Sequence, residues 1–393
     1  MSDSLPVVER MPVERPAGCP FDPPARLAEL RSRAPVTPLR FGDGHQGWLV
    51  TGHAQARAVL ADPGFSSRHE LMHLLDPQII EVPPAGPGQF IGMDAPEHTR
   101  YRRLLAGRFT VRRMRSLAER VQRLTAQYLD DMAARGPGVD LVDAYAFPIP
   151  AQMICELLGV PFSERAHFQH LGAVANQADV PMEDKLAAFQ EMGGYIADLV
   201  ERKRARPTDD LLSDIIGGDL DHEELVGVGS LLLGAGLDTV ANMIGLSTFA
   251  LLTHPDQRDA LHADPERAVE ELLRYLTIAH TGFRVALTDI DLDGITIGKG
   301  QTVAVSLQAA NRDPARFASP DALDLTRQAA GHLAFSHGAH QCLGQQLARL
   351  EMKVALPALF ERFPSLRLDV PPQEVPLRAG DDVYGVRHLP VAW

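Results

Sequence analysis

A lone carboxylate inside an otherwise uncharged run is the first chemically odd feature of this sequence. Between Leu225 and Leu252 the only charged residue is Asp238, and Thr239 follows it directly. The Thr239 hydroxyl can bond back to the carbonyl of Ala235, four residues earlier, which bends a helix locally. A desolvated Asp beside such a Thr is a candidate proton carrier. Gly234 and Gly236 precede the pair, and each mid-helix glycine costs roughly 1 kcal/mol against alanine. Close helix packing accounts for the glycines alone. A flat ligand lying against the missing side chains accounts for them together with Asp238 and Thr239.

The second feature is Phe335-Ser336-His337-Gly338-Ala339-His340-Gln341-Cys342-Leu343-Gly344. It closes a stretch with little periodicity and opens a helical pattern in which Leu343, Leu347, Leu350 and Val354 recur. Cys342 is thereby placed at a helix N-terminus, where the macrodipole and free amides favour a thiolate. Gly338 and Gly344 let backbone approach something closely. A thiolate held this way, with one coordination side open, suits a haem iron. His98 and Arg102 form a third set, sharing a helix face at i,i+4 as two donors suited to a carboxylate. His69-Glu70-Leu71-Met72-His73 formally matches the HExxH zinc-protease signature. No third ligand follows at a fitting spacing, so no catalytic zinc is expected there.

Helices must position most of these residues. Helical patterns cover roughly 95–107, 114–135, 143–158, 182–206, 222–254 and 343–360, with a further helix starting at Asp264-Pro265. The run around Asp238 starts at Asp221, whose side chain can cap while Glu224 reaches back, and stops at His254-Pro255. At the standard rise it is roughly 50 Å long, enough to span a bilayer or to cross a whole domain. Its glycines, Ser230, Asn242 and mid-span carboxylate favour a core helix. Short extended pieces lie at 36–51 around Gly42-Asp43-Gly44, and again at 283–305. The first twenty residues are Pro-rich and read as an extended arm laid on the domain. The expected fold is mainly α with small β-sheets, in one domain over 1–393. On a helical wheel Glu271 and Arg274 fall opposite the stripe Val269, Leu272, Leu273 and Leu276, the signature of a solvated i,i+3 pair. The run Glu201 to Arg206 reads as a solvated helix end.

Composition limits the function further. Apolar residues make up 45% and charged residues 23%, which excludes wholesale disorder. Acidic residues outnumber basic ones 51 to 38, opposite to the balance of a phosphate-backbone reader, so nucleic acid is not an expected partner. The three cysteines, Cys19, Cys155 and Cys342, lie far apart and fit a reducing cytoplasm. The N-terminus has no apolar core run and reads as neither signal peptide nor membrane anchor.

Taken together, the sequence resembles the cytochrome P-450 family, the haem-thiolate monooxygenases of soluble bacterial type. Phe335-x-x-Gly338-x-His340-x-Cys342-Leu343-Gly344 is similar to the family's cysteine loop, and Ala235-Gly236-Leu237-Asp238-Thr239 to its oxygen-binding helix. Glu271-Leu272-Leu273-Arg274 resembles the Glu-x-x-Arg pair, and Asp313-Pro314, Phe317, Pro320-Asp321, Asp324 and Arg327 the meander after it. The likeness runs from about Pro16 to the C-terminus. Ser336 stands where Gly is more usual, and Leu323 where Phe is more usual.

The resemblance implies haem b with Cys342 as its iron ligand and His98, Arg102, Arg284 and His340 on the propionates. It implies Asp238 and Thr239 as catalytic groups, and it promotes Glu271 and Arg274 to a structural network with Arg327. Leu231, Ala235 and the segment Ile278–Gly282, Ala279 included, are implied as substrate walls, with 65–92 and 162–190 as a lid. The implied activity is hydroxylation of a mostly apolar macrolide, polyketide, terpenoid or steroid using O2. Electrons would come from NAD(P)H through a ferredoxin reductase and a ferredoxin, which would dock near Arg103, Arg112 and Arg113. A cytoplasmic monomer acting on small molecules is implied, without membrane attachment. Epoxidation, oxidative coupling and peroxide-driven oxidation are alternatives on the same scaffold. A non-catalytic haem sensor is the rival class, and the intact Asp238-Thr239 pair argues against it.

Overall fold

The computed structural model describes residues 6–16, 18–78, 81–108, 111–176, 180–379 and 383–393. Contacts divide the chain into two compact units. The first comprises Met1–Ala85, Ile91–His98 and Arg267–Leu343, the second Gly86–Phe90, Thr99–Glu266 and Gly344–Trp393.

The first unit is built on a five-stranded sheet in the order Val36–Arg40, Gln46–Val50, Thr302–Ser306, Thr281–Ala286, Phe65–Ser66. Gln46–Val50 runs parallel to Thr302–Ser306 and every other pairing is antiparallel. Side-chain alternation splits the core between the two faces. Val303 and Val305 pack with Val50, Val59 and Leu60. Ala304 packs with Leu27, Leu30, Leu39 and Leu49. Every residue of Thr302–Ser306 is therefore buried. The hairpin expected at 36–51 forms with Thr37 opposite Leu49. The arm lies on this sheet, where the Val8 amide donates to Pro38 at 2.8 Å and the Val8 carbonyl accepts from Arg40 at 3.0 Å.

Glu271 and Arg274 are both fully buried in this unit, so the solvated pair read from the wheel is corrected. Arg274 donates through Nε and Nη2 to the two Glu271 oxygens, at 2.7 and 2.8 Å. Its Nη1 donates to the carbonyls of Asn311 at 2.9 Å and Pro320 at 2.8 Å. Arg327 Nε and the Asp324 amide complete the shell around Glu271 Oε1, at 3.0 and 3.1 Å. A wheel shows one helix against one core. Here the chain from Asn311 to Arg327 covers the polar face of helix Pro265–Leu276 as well.

The second unit is helical around His222–Thr253, with Pro148–Leu158, Met182–Ala205 and Gln345–Arg362 packed on it. The expected capping box is present: Asp221 Oδ1 accepts from the Glu224 amide at 2.9 Å, and Glu224 Oε2 from the Asp221 amide at 3.0 Å. Every residue from Val240 to Leu251 is buried, as befits a core helix. The run Glu201 to Arg206 is exposed except for Lys203, which is buried and holds Asp210 at 2.6 Å. The lid expected at 162–190 is largely helix, in Arg165–Asn176 and the start of Met182–Ala205, with 177–179 outside the described residues.

Glu351, on Gln345–Arg362, is 2% exposed, and its Oε2 has no hydrogen-bond partner among the described residues. Burial pushes its carboxyl up from the ordinary 4.5 to about 8. The folded state thus holds this proton more tightly than the unfolded chain does. Its stabilising contribution is complete below pH 4.5 and is lost as pH rises toward about 8. Glu351→Gln is therefore expected to be more stable than wild type near pH 8, by on the order of 1–3 kcal/mol, and equal to it near pH 4. Thermal melts of both proteins across that range check this; parallel pH profiles would refute it.

Candidate functional site

In the first unit the cysteine loop is held by its own backbone. The Cys342 amide donates to the Phe335 carbonyl at 2.9 Å, and Gly338–His340 forms a single 3-10 turn. Gly338 has φ +76°, and a Cβ there would sit 2.4 Å from the Leu60 carbonyl oxygen, so the loop lies directly on helix His53–Ala61. Helix Gln345–Arg362 begins three residues after Cys342, with Gly344 as its N-cap. Cys342 therefore precedes the helix in the chain rather than lying in it. Its side chain is exposed. Cys155 is buried instead, and desolvation pushes its thiol up to about 12.

Ser336, which stands where glycine is more usual, has φ +61°. A side chain in the left-handed region costs roughly 1 kcal/mol. Ser336→Gly is expected to stabilise the holoprotein by about 0.5–1 kcal/mol in denaturant titration. A loss of stability would contradict the strain.

Beside the loop stand two imidazoles and a guanidinium. His98, the second residue of helix Glu97–Ala106, is buried, and its ring stacks on His340 with centroids 3.9 Å apart. Arg284, on strand Thr281–Ala286, is 8% exposed. Its one side-chain hydrogen bond among the described residues runs from Nη1 to the Phe283 carbonyl, at 2.7 Å. Burial brings its guanidinium down to about 10, against the opposing pull of Asp94. A buried cation with most of its donors unspent is a receptor for an anion. The unit thus offers a thiol and a cationic donor set, which fits an iron ligand and the carboxylates of a haem. Ala279, half-exposed, lies between helix Pro265–Leu276 and strand Thr281–Ala286.

The second unit holds Arg102, Leu231, Ala235, Asp238 and Thr239. Arg102 is half-buried on Glu97–Ala106. Thr239 Oγ1 donates to the Ala235 carbonyl at 2.9 Å, the back-bond expected from sequence. Leu231 and Thr239 are half-exposed and Ala235 is exposed, so one face of the long helix is open at mid-span. The two glycines divide between the two accounts. A Cβ at Gly236 would strike Ile154 at 2.8 Å, which is helix packing, whereas one at Gly234 would meet nothing within 4 Å.

Asp238 is not the lone carboxylate that the sequence suggests. Arg378 Nη1 donates to its Oδ1 at 2.6 Å, and Asn242 Nδ2 to its backbone carbonyl at 2.9 Å. Arg378 belongs to a C-terminal strap closed by the bridge between Leu377 and Val386. A Cβ on Gly385 would fall 1.9 Å from Asn242 Oδ1, so the strap's backbone lies directly on the helix. Nothing local to Asp238 announces a partner 140 residues away.

His69–Leu71 is one 3-10 turn, not the helix that HExxH requires. His73 Nδ1 instead meets Asp43 Oδ2 at 2.5 Å, and its ring stacks on His45. Among the described residues the grouping with metal-ligand proximity is Asp140, Asp143 and His388, which shares no member with that motif. Of the expected basic cluster, Arg103 is exposed, Arg113 pairs with Asp214 at 2.6 Å, and the Arg112 side chain lies outside the described residues.

Residues 265–380 match the sequence model of the cytochrome P-450 family. The chain is 50% identical over 379 residues to cytochrome P-450 105C1 of a Streptomyces species, covering 95% of this chain and 96% of that protein. It is 43% identical over 386 residues to pentalenic acid synthase of Streptomyces avermitilis, covering 95% of each. The solved structure of CYP105P1 in complex with filipin I superposes with a TM-score of 0.91 at 43% identity, covering 98% of this chain and 99% of that one.

Proposed function

The chain belongs to the cytochrome P-450 family, and from that premise we propose that it hydroxylates a mostly apolar small molecule with electrons from a ferredoxin. Its reaction class is that of the family, haem-thiolate, dioxygen-dependent monooxygenation. The carrying observation is the exposed Cys342 thiol in a loop braced by Gly338, two residues from His340 and its stacked partner His98.

Cys342 Sγ is the iron ligand in this reading. His98, Arg102, Arg284 and His340 are the propionate donors of this reading, by charge-assisted hydrogen bonds. When bound, the haem supplies reductive activation of dioxygen and insertion of one oxygen atom into a C–H bond. The chain supplies the protons. Thr239 commits its hydroxyl proton to the Ala235 carbonyl, which leaves the Oγ1 lone pairs to order a water on the open face of the helix. Asp238 carries protons in from solvent, and Arg378 fixes where its carboxylate rests.

Thr239→Ala is accordingly expected to keep NAD(P)H and oxygen consumption fairly intact while diverting most of the flux to hydrogen peroxide. Asp238→Asn is expected to slow turnover itself, with a larger solvent isotope effect. Product, peroxide and NAD(P)H measured together in the reconstituted system check both. Equal coupling in wild type and Thr239→Ala would remove Thr239 from the proton path.

Leu231, Ala235 and Ala279 are small or apolar and form the substrate walls in this reading, which favours macrolides, other polyketides, terpenoids or steroids. Relatives whose names record pentalenic acid and filipin I support it. The chain shows no flavin or nicotinamide fingerprint, so a ferredoxin and its NAD(P)H-linked reductase supply the electrons, with exposed Arg103 offering local positive charge for docking. Cys19, Cys155 and Cys342 form no disulfide among the described residues, which suits the cytoplasm as the working compartment. A spectral binding screen of the holoprotein against those four compound classes tests the substrate reading. At least one class is expected to shift the Soret band; a response confined to charged polar compounds would overturn it.

A further inference from the structure

The mechanism leaves one half-buried contact of the N-terminal arm unused. Arg15 Nη2 lies 2.7 Å from His280 Nε2. The same guanidinium donates to the carbonyl of Asp22 at 2.6 Å, to that of Pro20 at 3.5 Å and to Gln308 Oε1 at 3.3 Å. A guanidinium has donors and no acceptor. His280 Nε2 must therefore accept, which places the ring proton on Nδ1 and keeps the imidazole neutral. Burial, helped by the Arg15 charge, brings the His280 imidazolium down to about 3, so the ring stays neutral at physiological pH.

His280 ends the short connection between helix Pro265–Leu276 and strand Thr281–Ala286. Both ends of that connection are tied. At its start Thr277 has φ +37°, and its Oγ1 accepts from Asn311 Nδ2 at 2.8 Å while donating to the Arg274 carbonyl at 2.8 Å. At its finish the His280 carbonyl accepts from the Leu307 amide at 2.8 Å and the ring is held by Arg15. Between the ties Ile278 is buried and Ala279 is left half-exposed. The arm, which the sequence marks as a Pro-rich extension, thus reaches the segment read above as a substrate wall.

We propose that Arg15 is a specificity-positioning residue, through which the N-terminal arm fixes His280 and thereby the wall segment 278–282 that faces an apolar substrate. The proposal rests on the reading that this segment lines the pocket. Without the guanidinium the half-buried Nε2 loses a donor and the His280 side chain loses one of its holds, while the His280 carbonyl stays tied to the Leu307 amide, so the wall segment keeps its path but is held less firmly.

Two iron-binding azoles read this out in the holoenzyme by spectral titration. Imidazole reaches the metal without filling the pocket, whereas 4-phenylimidazole must fit against its walls. Arg15→Ala is expected to weaken 4-phenylimidazole about tenfold while the Kd of imidazole stays within about twofold. His280→Leu, which removes the acceptor, is expected to do the same and carries the test if Arg15→Ala fails to yield holoprotein. His280→Gln keeps an acceptor for Arg15 and is expected to bind 4-phenylimidazole like wild type. Unchanged 4-phenylimidazole binding in Arg15→Ala or His280→Leu, or equal weakening of both azoles, would overturn the proposal. A wild-type holoprotein that responds to neither azole would instead overturn the haem-pocket reading, and this proposal with it.

Discussion

Cys342→Ala is expected to reduce oxygenation to background and to remove the thiolate signature from the haem spectrum, whereas Cys19→Ser and Cys155→Ala are expected to leave both in place. The difference lies in where the three sulfurs sit. A ligand sulfur must be deprotonated and within reach of the metal. Cys155 is buried on Pro148–Leu158, and its thiol, pushed up to about 12, stays protonated at neutral pH. Cys19 lies in the N-terminal arm, where its amide donates to the Pro16 carbonyl at 3.1 Å and its carbonyl accepts from the Asp22 amide at 3.4 Å, outside the loop that carries Gly338 and His340. Cys342 is exposed, its amide is tied to the Phe335 carbonyl, and helix Gln345–Arg362 starts just beyond it, so free amides and the helix dipole favour the thiolate. Haem content, absorbance spectra and product formation for the three variants check the assignment. Retention of the signature in Cys342→Ala would transfer the ligand role elsewhere.

Arg274→Ala has the largest expected effect on stability. The substitution leaves the Glu271 carboxylate buried without the donors of Arg274, and also strips the carbonyls of Asn311 and Pro320 of theirs. Breaking a buried ion pair from one side costs about 3–5 kcal/mol. A domain is stable by only about 5–15 kcal/mol in total, so soluble holoprotein is expected to fall steeply at 37 °C. For a chain of this size the loss corresponds to a melting point lower by about 4–6 °C where the variant can be purified. Arg274→Lys rescues little, because three donors on a flexible stem do not reproduce a bidentate fork plus two carbonyl bonds. Melting curves and soluble yields check this. A wild-type melting point in Arg274→Ala would mean that the pair is dispensable.

Much of this molecule is legible one element at a time. The capping box at Asp221 and Glu224, the hairpin around Gly42-Asp43-Gly44 and the back-bond of Thr239 each depend on neighbours within a few residues. What is not legible is contact at long range. Arg378 meets Asp238 through a strap near the C-terminus, and the chain from Asn311 to Arg327 buries a pair that a helical wheel assigns to solvent. The short helices Ala25–Arg33 and His53–Ala61 also escape the sequence pattern. Pro24 caps the first without a side-chain hydrogen bond and Gly52 the second likewise, so neither announces its start. The cysteine loop is legible by its residue types, but its conformation is not. That Ser336 occupies the left-handed region is visible from the backbone alone.

Thiolate ligation of a haem by Cys342 is tested most directly by the reduced carbon-monoxide difference spectrum of the purified wild-type protein. The red-shifted Soret band of a thiolate-ligated haem is predicted. A protein that takes up no haem, or whose carbon-monoxide complex shows the unshifted band of a nitrogen-ligated haem while Cys342 is intact, would contradict it.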